Sequence, residues 1–200
     1  MKTIIFATQA HKDQKRKNAA GDPYITHPLE VAYAIQRAYE SCGEEPSIDV
    51  LIAAILHDVV EDTPATPKEL PMLFGNVVGG IVAQVTDDKS LSKLERKQIA
   101  LRDASRLTPE AALVKMADKW HNCKDLKRDP PKTWSDEDVR HYAHWSMAMC
   151  QVMYAQNMNH KVVVALWKDR VLPMFSDVHA ITQPNFDVIE TYFDTLQGKE

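Results

Sequence analysis

The stretch LIAAILHDVVEDT, residues 51–63, ends an oily run with four ionisable side chains, His57, Asp58, Glu61 and Asp62; eight of the ten residues before Glu61 are apolar. At about 100° per residue these four project at roughly 0°, 100°, 40° and 140°, so one helix would carry them on a single arc. Burying unpaired carboxylates is costly. A divalent cation offsets that cost and uses the imidazole as a ligand. Such an ion needs more than His57 and Asp58, and two other residues are candidates. Asp118 is a carboxylate set in the helical stretch LVKMADKWHN, and His27 precedes Pro28 at what reads as a helix mouth. Two histidines and two aspartates form a mixed nitrogen and oxygen site suited to manganese, iron, zinc or cobalt, and spacing does not choose among them. The same residues also admit plainer readings: a solvated acidic helix end, a cap at His27, a salt bridge from Asp118 to Lys115 or Lys119. Ala53 and Ala54, one turn before the pair, leave space and favour a pocket over a packed wall.

The elements that must position these groups are helical. Proline and glycine divide the chain into segments with helical period and almost no alternating strand signal. Residues 4 to 16 place Ile4, Ala7, Ala10, His11 and Gln14 on one face, and KRKNAAGDPY then reads as a loop ending in an extended Tyr-Ile-Thr. Pro28 suits the first position of a helix running to about Ser41, with His27 as its cap. Residues 47 to 62 form the next helix, capped by Ser47, and Thr66-Pro67-Lys68-Glu69 has the form of a capping box. A helix from Asn76 to Val85 follows the Phe74-Gly75 break. The polar TDDKSLSKLERK stretch leads into a helix beginning near Leu94. Thr108-Pro109-Glu110 opens another, whose core stripe is Leu113, Met116, Ala117 and Trp120. Residues 135 to 157 and 159 to 172 are two more helices. The tail carries Phe186, Ile189, Phe193 and Leu196 at helical spacing, on a helix expected to dock on the body or on a second copy of the chain.

The totals exclude several classes. The 200 residues, 44% hydrophobic, suffice for one domain with a substantial core. With 24 basic against 28 acidic residues the formal charge is −4, which points to neither DNA nor RNA. No apolar run approaches the roughly 18 residues that span a membrane, so the expected setting is soluble and cytoplasmic. Cys42, Cys123 and Cys150 are odd in number and free of any CxxC pattern, which argues against disulfides or a cysteine zinc site.

The order His27, His57-Asp58, Asp118 resembles that of the HD-domain phosphohydrolases. In sequence order AHKDQKRK, GDPYITHPLEVA, AAILHDVVEDT, LFGNVVGGIVAQVTDD and VKMADKWHN are similar to the hydrolase half of the RelA/SpoT alarmone enzymes, over about residues 4 to 172. TDDKSLSKLERK and WSDEDVRHYAHW most resemble the stand-alone small alarmone hydrolases, the metazoan SpoT homologue type included. No synthetase half is expected within these residues. The resemblance implies an all-α fold: a single HD-domain helical bundle over 1–175 with a metal site between helices, and a C-terminal extension over 176–200. It implies Mn²⁺, one ion per chain, on His27, His57, Asp58 and Asp118. The implied reaction is hydrolysis of guanosine 3′,5′-bis(diphosphate), or its pentaphosphate analogue, by a metal-activated water that releases pyrophosphate from the 3′ position. Glu61 and Asp62 carry over as the pair that orients or deprotonates that water. Arg16, Lys17, Lys93, Asn122 and Tyr142 carry over as substrate contacts. A small nucleotide is then the partner, with neither nucleic acid nor membrane, and a homodimer is open. One position departs: Asp138 stands where small hydrolases place an arginine, and Arg140 lies two residues on, on another face of the helix. Competing readings are a phosphatase acting on the 2′-phosphate of NADPH or on deoxynucleotides, and a binding module that sequesters an alarmone or acts as an antitoxin.

Overall fold

The structure is a computed structural model that describes residues 1–18 and 20–198, the side chain of Val178 excepted. Its helices are α1 (Lys2–Ala10), α2 (Thr26–Ser41), α3 (Ile48–Leu56), α4 (Val59–Asp62), α5 (Glu69–Phe74), α6 (Asn76–Val85), α7 (Lys93–Asp103), α8 (Pro109–Arg128), α9 (Asp136–Gln156), α10 (Lys161–Leu166) and α11 (Phe186–Gln197). Among the described residues there is no strand, only an isolated bridge between Lys15 and Pro23. The architecture is the expected all-α bundle.

Helix α8 is the central post. Thr108 caps it by accepting from Ala111 N at 3.3 Å, and α2, α3, α6, α9 and α10 all pack against it. Leu113, Met116, Ala117 and Trp120 are buried as their spacing predicts. Each fully buried large apolar side chain contributes about 1.5–3 kcal/mol. That packing is what allows the same helix to hold Asp118 near its middle and out of bulk water.

Three boundaries differ from expectation, and each difference re-aims a polar side chain. The first helix ends at Ala10, because the segment after it pairs with the returning loop: Arg16 N donates to Asp22 O at 2.8 Å and Tyr24 N to Gln14 O at 3.1 Å. Tyr-Ile-Thr is not extended; Ile25 has φ −56° and ψ −23°, and α2 starts at Thr26. His27 is therefore not a cap but the second helical residue, with Pro28 third, where the backbone N–H has no partner within the helix to lose. The expected helix over 47–62 keeps its Ser47 cap but breaks at the His57-Asp58 pair, which lies between α3 and α4. There the His57 ring takes the Ala54 carbonyl at 2.8 Å.

The expected helix over 159–172 becomes α10, then wider π turns at Trp167–Val171 and Met174–Val178. Helix α11 lies against α9 and α7. Its buried stripe is Val188, Ile189, Tyr192 and Leu196, while Phe186 is exposed. The stripe is rotated because Tyr192, not Phe193, turns inward onto the rings of His141 and Trp145.

The packing of α5 on α6 gives a stability test. A Cβ at Gly79 would lie 2.6 Å from Pro71 Cγ and 2.9 Å from Pro71 Cδ, whereas one at Gly80 meets nothing within 4 Å. Gly79→Ala should cost about 1–3 kcal/mol through overpacking. Gly80→Ala should gain about 0.5–1 kcal/mol from helix propensity. Paired denaturant melts check both; equal shifts would contradict the contact.

Candidate metal centre and active cavity

Three elements bring the polar residues together: the first turn of α2 brings His27, the α3–α4 break brings His57 and Asp58, and the middle of α8 brings Asp118. His27 Nε2 lies 3.1 Å from Asp118 Oδ1 and 3.5 Å from Asp58 Oδ2. His57 Nε2 lies 3.1 Å from Asp58 Oδ2 and 3.8 Å from Asp118 Oδ1. One ligand atom each from His27, His57 and Asp118 all fall within 4.8 Å of one another. Such spacings suit atoms that share one ion at bond lengths of about 2.0–2.2 Å.

The donor chemistry fits a cation as well as the distances do. Both Nε2 atoms are buried with no hydrogen-bond partner among the described residues. The outer nitrogens are engaged: His57 Nδ1–H donates to the Ala54 carbonyl, and His27 Nδ1 meets His121 Nδ1 at 2.9 Å. Holding one ring nitrogen fixes the other toward the centre, as around bound metals generally. The two carboxylates also govern the electrostatics of the centre. Burial alone would lower the pKa of His57, yet Asp58 and Asp118 outweigh it and push it up to about 10. Burial would raise Asp58, and His57 holds it below the usual carboxylate range instead. Burial likewise opposes Asp118, which Lys119 keeps well below that range. His27 stays below the ordinary histidine value, through burial first. The salt bridge considered for Asp118 is present on one oxygen only: Lys119 Nζ lies 2.8 Å from Oδ2, while Oδ1 faces the histidines.

The centre sits at the wall of a cavity of about 330 Å³, within the usual range for small-molecule sites. His57, Asp58, Glu61, Asp62 and Asp118 all line it. Lys89 bridges Glu61 and Asp62 at 3.1 and 2.8 Å. The Asp87 N–H donates to Glu61 Oε2 at 3.1 Å, and the Tyr24 hydroxyl donates to Asp58 at 2.5 Å and lies 3.3 Å from Asp62. Burial, then Asp58, raises the Tyr24 pKa far above its ordinary value, so the phenol keeps its proton.

The expected substrate contacts divide. Arg16, Lys17, Asn122 and Tyr142 line the cavity. Arg16 Nη2 is already committed to Asn122 Oδ1 at 2.8 Å and Asp125 Oδ2 at 3.1 Å, and Asn122 Nδ2 donates to Asp118 Oδ1 at 2.6 Å. This chain braces the centre from the loop side. Lys93 is exposed on α7 and stands outside the lining of this cavity, whereas Lys89 and Lys97 line it. Asp138 does not reach the cavity; it completes a capping box with Ser135, whose Oγ donates to it at 2.7 Å. Tyr24, Lys89, Lys97, Lys119 and His121 were not singled out as site residues by sequence reasoning. All five lie in or beside the quoted stretches, Tyr24 in GDPYITHPLEVA, Lys89 and Lys97 in TDDKSLSKLERK, and Lys119 and His121 beside Asp118 in VKMADKWHN, so proximity to a motif was the available signal.

A helical bundle with an H…HD…D centre is the architecture of the HD domain, and the model of that family matches residues 3–146. The guanosine-3′,5′-bis(diphosphate) 3′-pyrophosphohydrolase MESH1 of Danio rerio is 40% identical over 157 residues, which cover 78% of this chain and 85% of that protein. The Homo sapiens MESH1 protein is 40% identical over 168 residues, or 84% of this chain and 92% of that one. A solved structure, described as a metazoan ortholog of SpoT that hydrolyzes ppGpp and plays a role in starvation responses, superposes with a TM-score of 0.76 at 34% identity, covering 88% of this chain and 93% of the other. The chain belongs to the HD-domain family and, within it, to the family of the MESH1 proteins.

Proposed function

We propose that the chain hydrolyses guanosine 3′,5′-bis(diphosphate), and its pentaphosphate analogue, to GDP or GTP plus pyrophosphate, with Mn²⁺ held by His27, His57, Asp58 and Asp118. The observation that carries this is the convergence of two buried histidine Nε2 atoms, neither in a well-aligned hydrogen bond, on two aspartates beside a cavity rimmed with lysines and arginine. The activity named for the 40%-identical relatives supplies the substrate. A divalent cation acidifies water and neutralises charge on a phosphoryl group under attack.

The chain's own groups do the remaining work. Glu61 and Asp62, adjoining the centre on α4, take the proton of the attacking water, and Lys89 and Tyr24 hold both carboxylates in place. Arg16 and Lys17 face the phosphates, while Tyr142 and Trp134, 5.7 Å apart by ring centroid, border the nucleoside. We place the catalytic unit at 1–175 and treat 176–200 as an extension; 199 and 200 lie outside the described residues. The apolar stripe of α11 is spent on α9 and α7, so a homodimer would use another surface. No helix among the described residues is long and apolar enough to cross a membrane, and we place the activity, a brake on stringent-response signalling, in the cytoplasm.

The test is a substrate panel with Mn²⁺: the two guanosine alarmones, NADPH and deoxynucleotides, with pyrophosphate and orthophosphate followed separately. Pyrophosphate from the alarmones is expected. Orthophosphate from NADPH alone would replace the assignment with a 2′-phosphatase. No release from any substrate would favour a binding module.

A further inference from the structure

Several cations at the cavity already have a carboxylate. Lys89 pairs with Glu61 and Asp62, Lys115 with Asp87 at 3.3 Å, and Lys119 with Asp118. Lys97, on the inner side of α7, lines the same cavity with no carboxylate at ion-pair distance among the described residues. Its ammonium rests instead on aromatic faces, 4.0 Å from the Trp145 ring centroid and 5.3 Å from that of Tyr142. The backbone of the same residue is pinned by the same ring, since Trp145 Nε1 donates to Lys97 O at 3.1 Å. Trp145 is itself buried and backed by Tyr192 of α11, with ring centroids 6.4 Å apart. Both ends of Lys97 are thus fixed by the same aromatic floor, at the wall of the cavity.

A ring face attracts a cation but does not neutralise it. Burial first, then Lys119, keeps the Lys97 pKa well below its ordinary value, and the more distant Asp87 and Asp118 offset this only in part. Lys119 also lies over Trp145, at 5.4 Å, and touches Asp118, which places Lys97 toward the metal end of the cavity. Helix α9 offers no cation in its stead, since Asp138 is used in the capping box and Arg140 is exposed. A phosphoryl oxygen is the group that matches an ammonium held this way, by a charge-assisted hydrogen bond.

We infer that Lys97 is a substrate-binding residue, reserved for an oxygen of the diphosphate that occupies the metal end of the cavity, and that Trp145 is the positioning residue that holds it there. The identity of the nucleotide rests on the function proposed above; the diphosphate contact does not.

The experiment is calorimetric titration of inorganic pyrophosphate into the full chain loaded with Mn²⁺, comparing wild type, Lys97→Met and Lys97→Arg, with Mn²⁺ affinity and melting temperature measured for each. Lys97→Met should weaken pyrophosphate about tenfold or more, the scale of one lost charge-assisted bond, with Mn²⁺ affinity unchanged. Lys97→Arg should recover most of the loss. The melting temperature of Lys97→Met should hold or rise, because an unpaired buried charge has been removed. Pyrophosphate binding by Lys97→Met equal to wild type, equal weakness of the Met and Arg variants, or no binding by the wild type would each overturn the inference. A wild type that binds pyrophosphate through Lys97 yet leaves the alarmone intact supports the contact and sinks only the substrate assignment.

Discussion

Replacing Asp58 with alanine should remove the metal and the activity together. Asp58 Oδ2 lies 3.1 Å from His57 Nε2 and 3.5 Å from His27 Nε2, so its loss takes an anionic donor from the middle of the donor set. A metal supplies several kcal/mol of charge stabilisation to phosphoryl transfer, and its removal should lower turnover by about 10³-fold or more. The fold should survive, because His57 keeps both Asp118 and the Ala54 carbonyl. Metal content by elemental analysis, turnover and circular dichroism on one preparation check the three parts. Bound Mn²⁺ with full turnover in Asp58→Ala would show that the ligand set is wrong.

Glu61→Gln and Asp62→Asn should behave in the opposite way, keeping the metal while slowing the chemical step. Neither carboxylate reaches the histidine nitrogens; both face the cavity and share Lys89. Removing a general base lowers the rate by about 10²–10⁴-fold. An interaction made in the transition state alone should appear in kcat with KM little changed. Lys89→Met should give a smaller loss, since the Asp87 N–H and the Tyr24 hydroxyl still hold one carboxylate each. If both single variants kept wild-type turnover, proton transfer would have to be assigned elsewhere. If either lost its metal, the division between ligands and base would fall.

Much of this site was legible in the sequence because its chemistry is local. His57, Asp58, Glu61 and Asp62 lie within six residues of one another, and their common arc predicted one shared face, which the cavity uses. The arc was read on an unbroken helix, however. The break at His57-Asp58 was invisible in the sequence pattern; it is accompanied by a side-chain bond from His57 Nδ1 to the Ala54 carbonyl, which no propensity scale contains. His27 was found at the correct end of its helix but misread as a cap, since Ile25 adopts a helical conformation that the following proline did not forbid at that distance. The cavity wall was the least legible part. Lys93 and Lys97 are one turn apart on α7, and sequence cannot say which of two lysines on one face goes inward. That choice is made by Trp145 and Tyr142, which arrive from a helix more than forty residues away. Tyr24 and Lys89 were missed for the same reason: their partners, Asp58 and the Glu61–Asp62 pair, come from separate segments.

The most direct test of the whole account is to run the reaction in ¹⁸O-labelled water and follow the heavy oxygen by mass spectrometry. With Mn²⁺ and guanosine 3′,5′-bis(diphosphate), attack on the 3′-linked phosphorus should place one heavy oxygen in pyrophosphate and none in GDP, and metal-stripped protein should yield neither product. Label in orthophosphate or in the nucleoside, or undiminished pyrophosphate release after the metal is stripped, would contradict it.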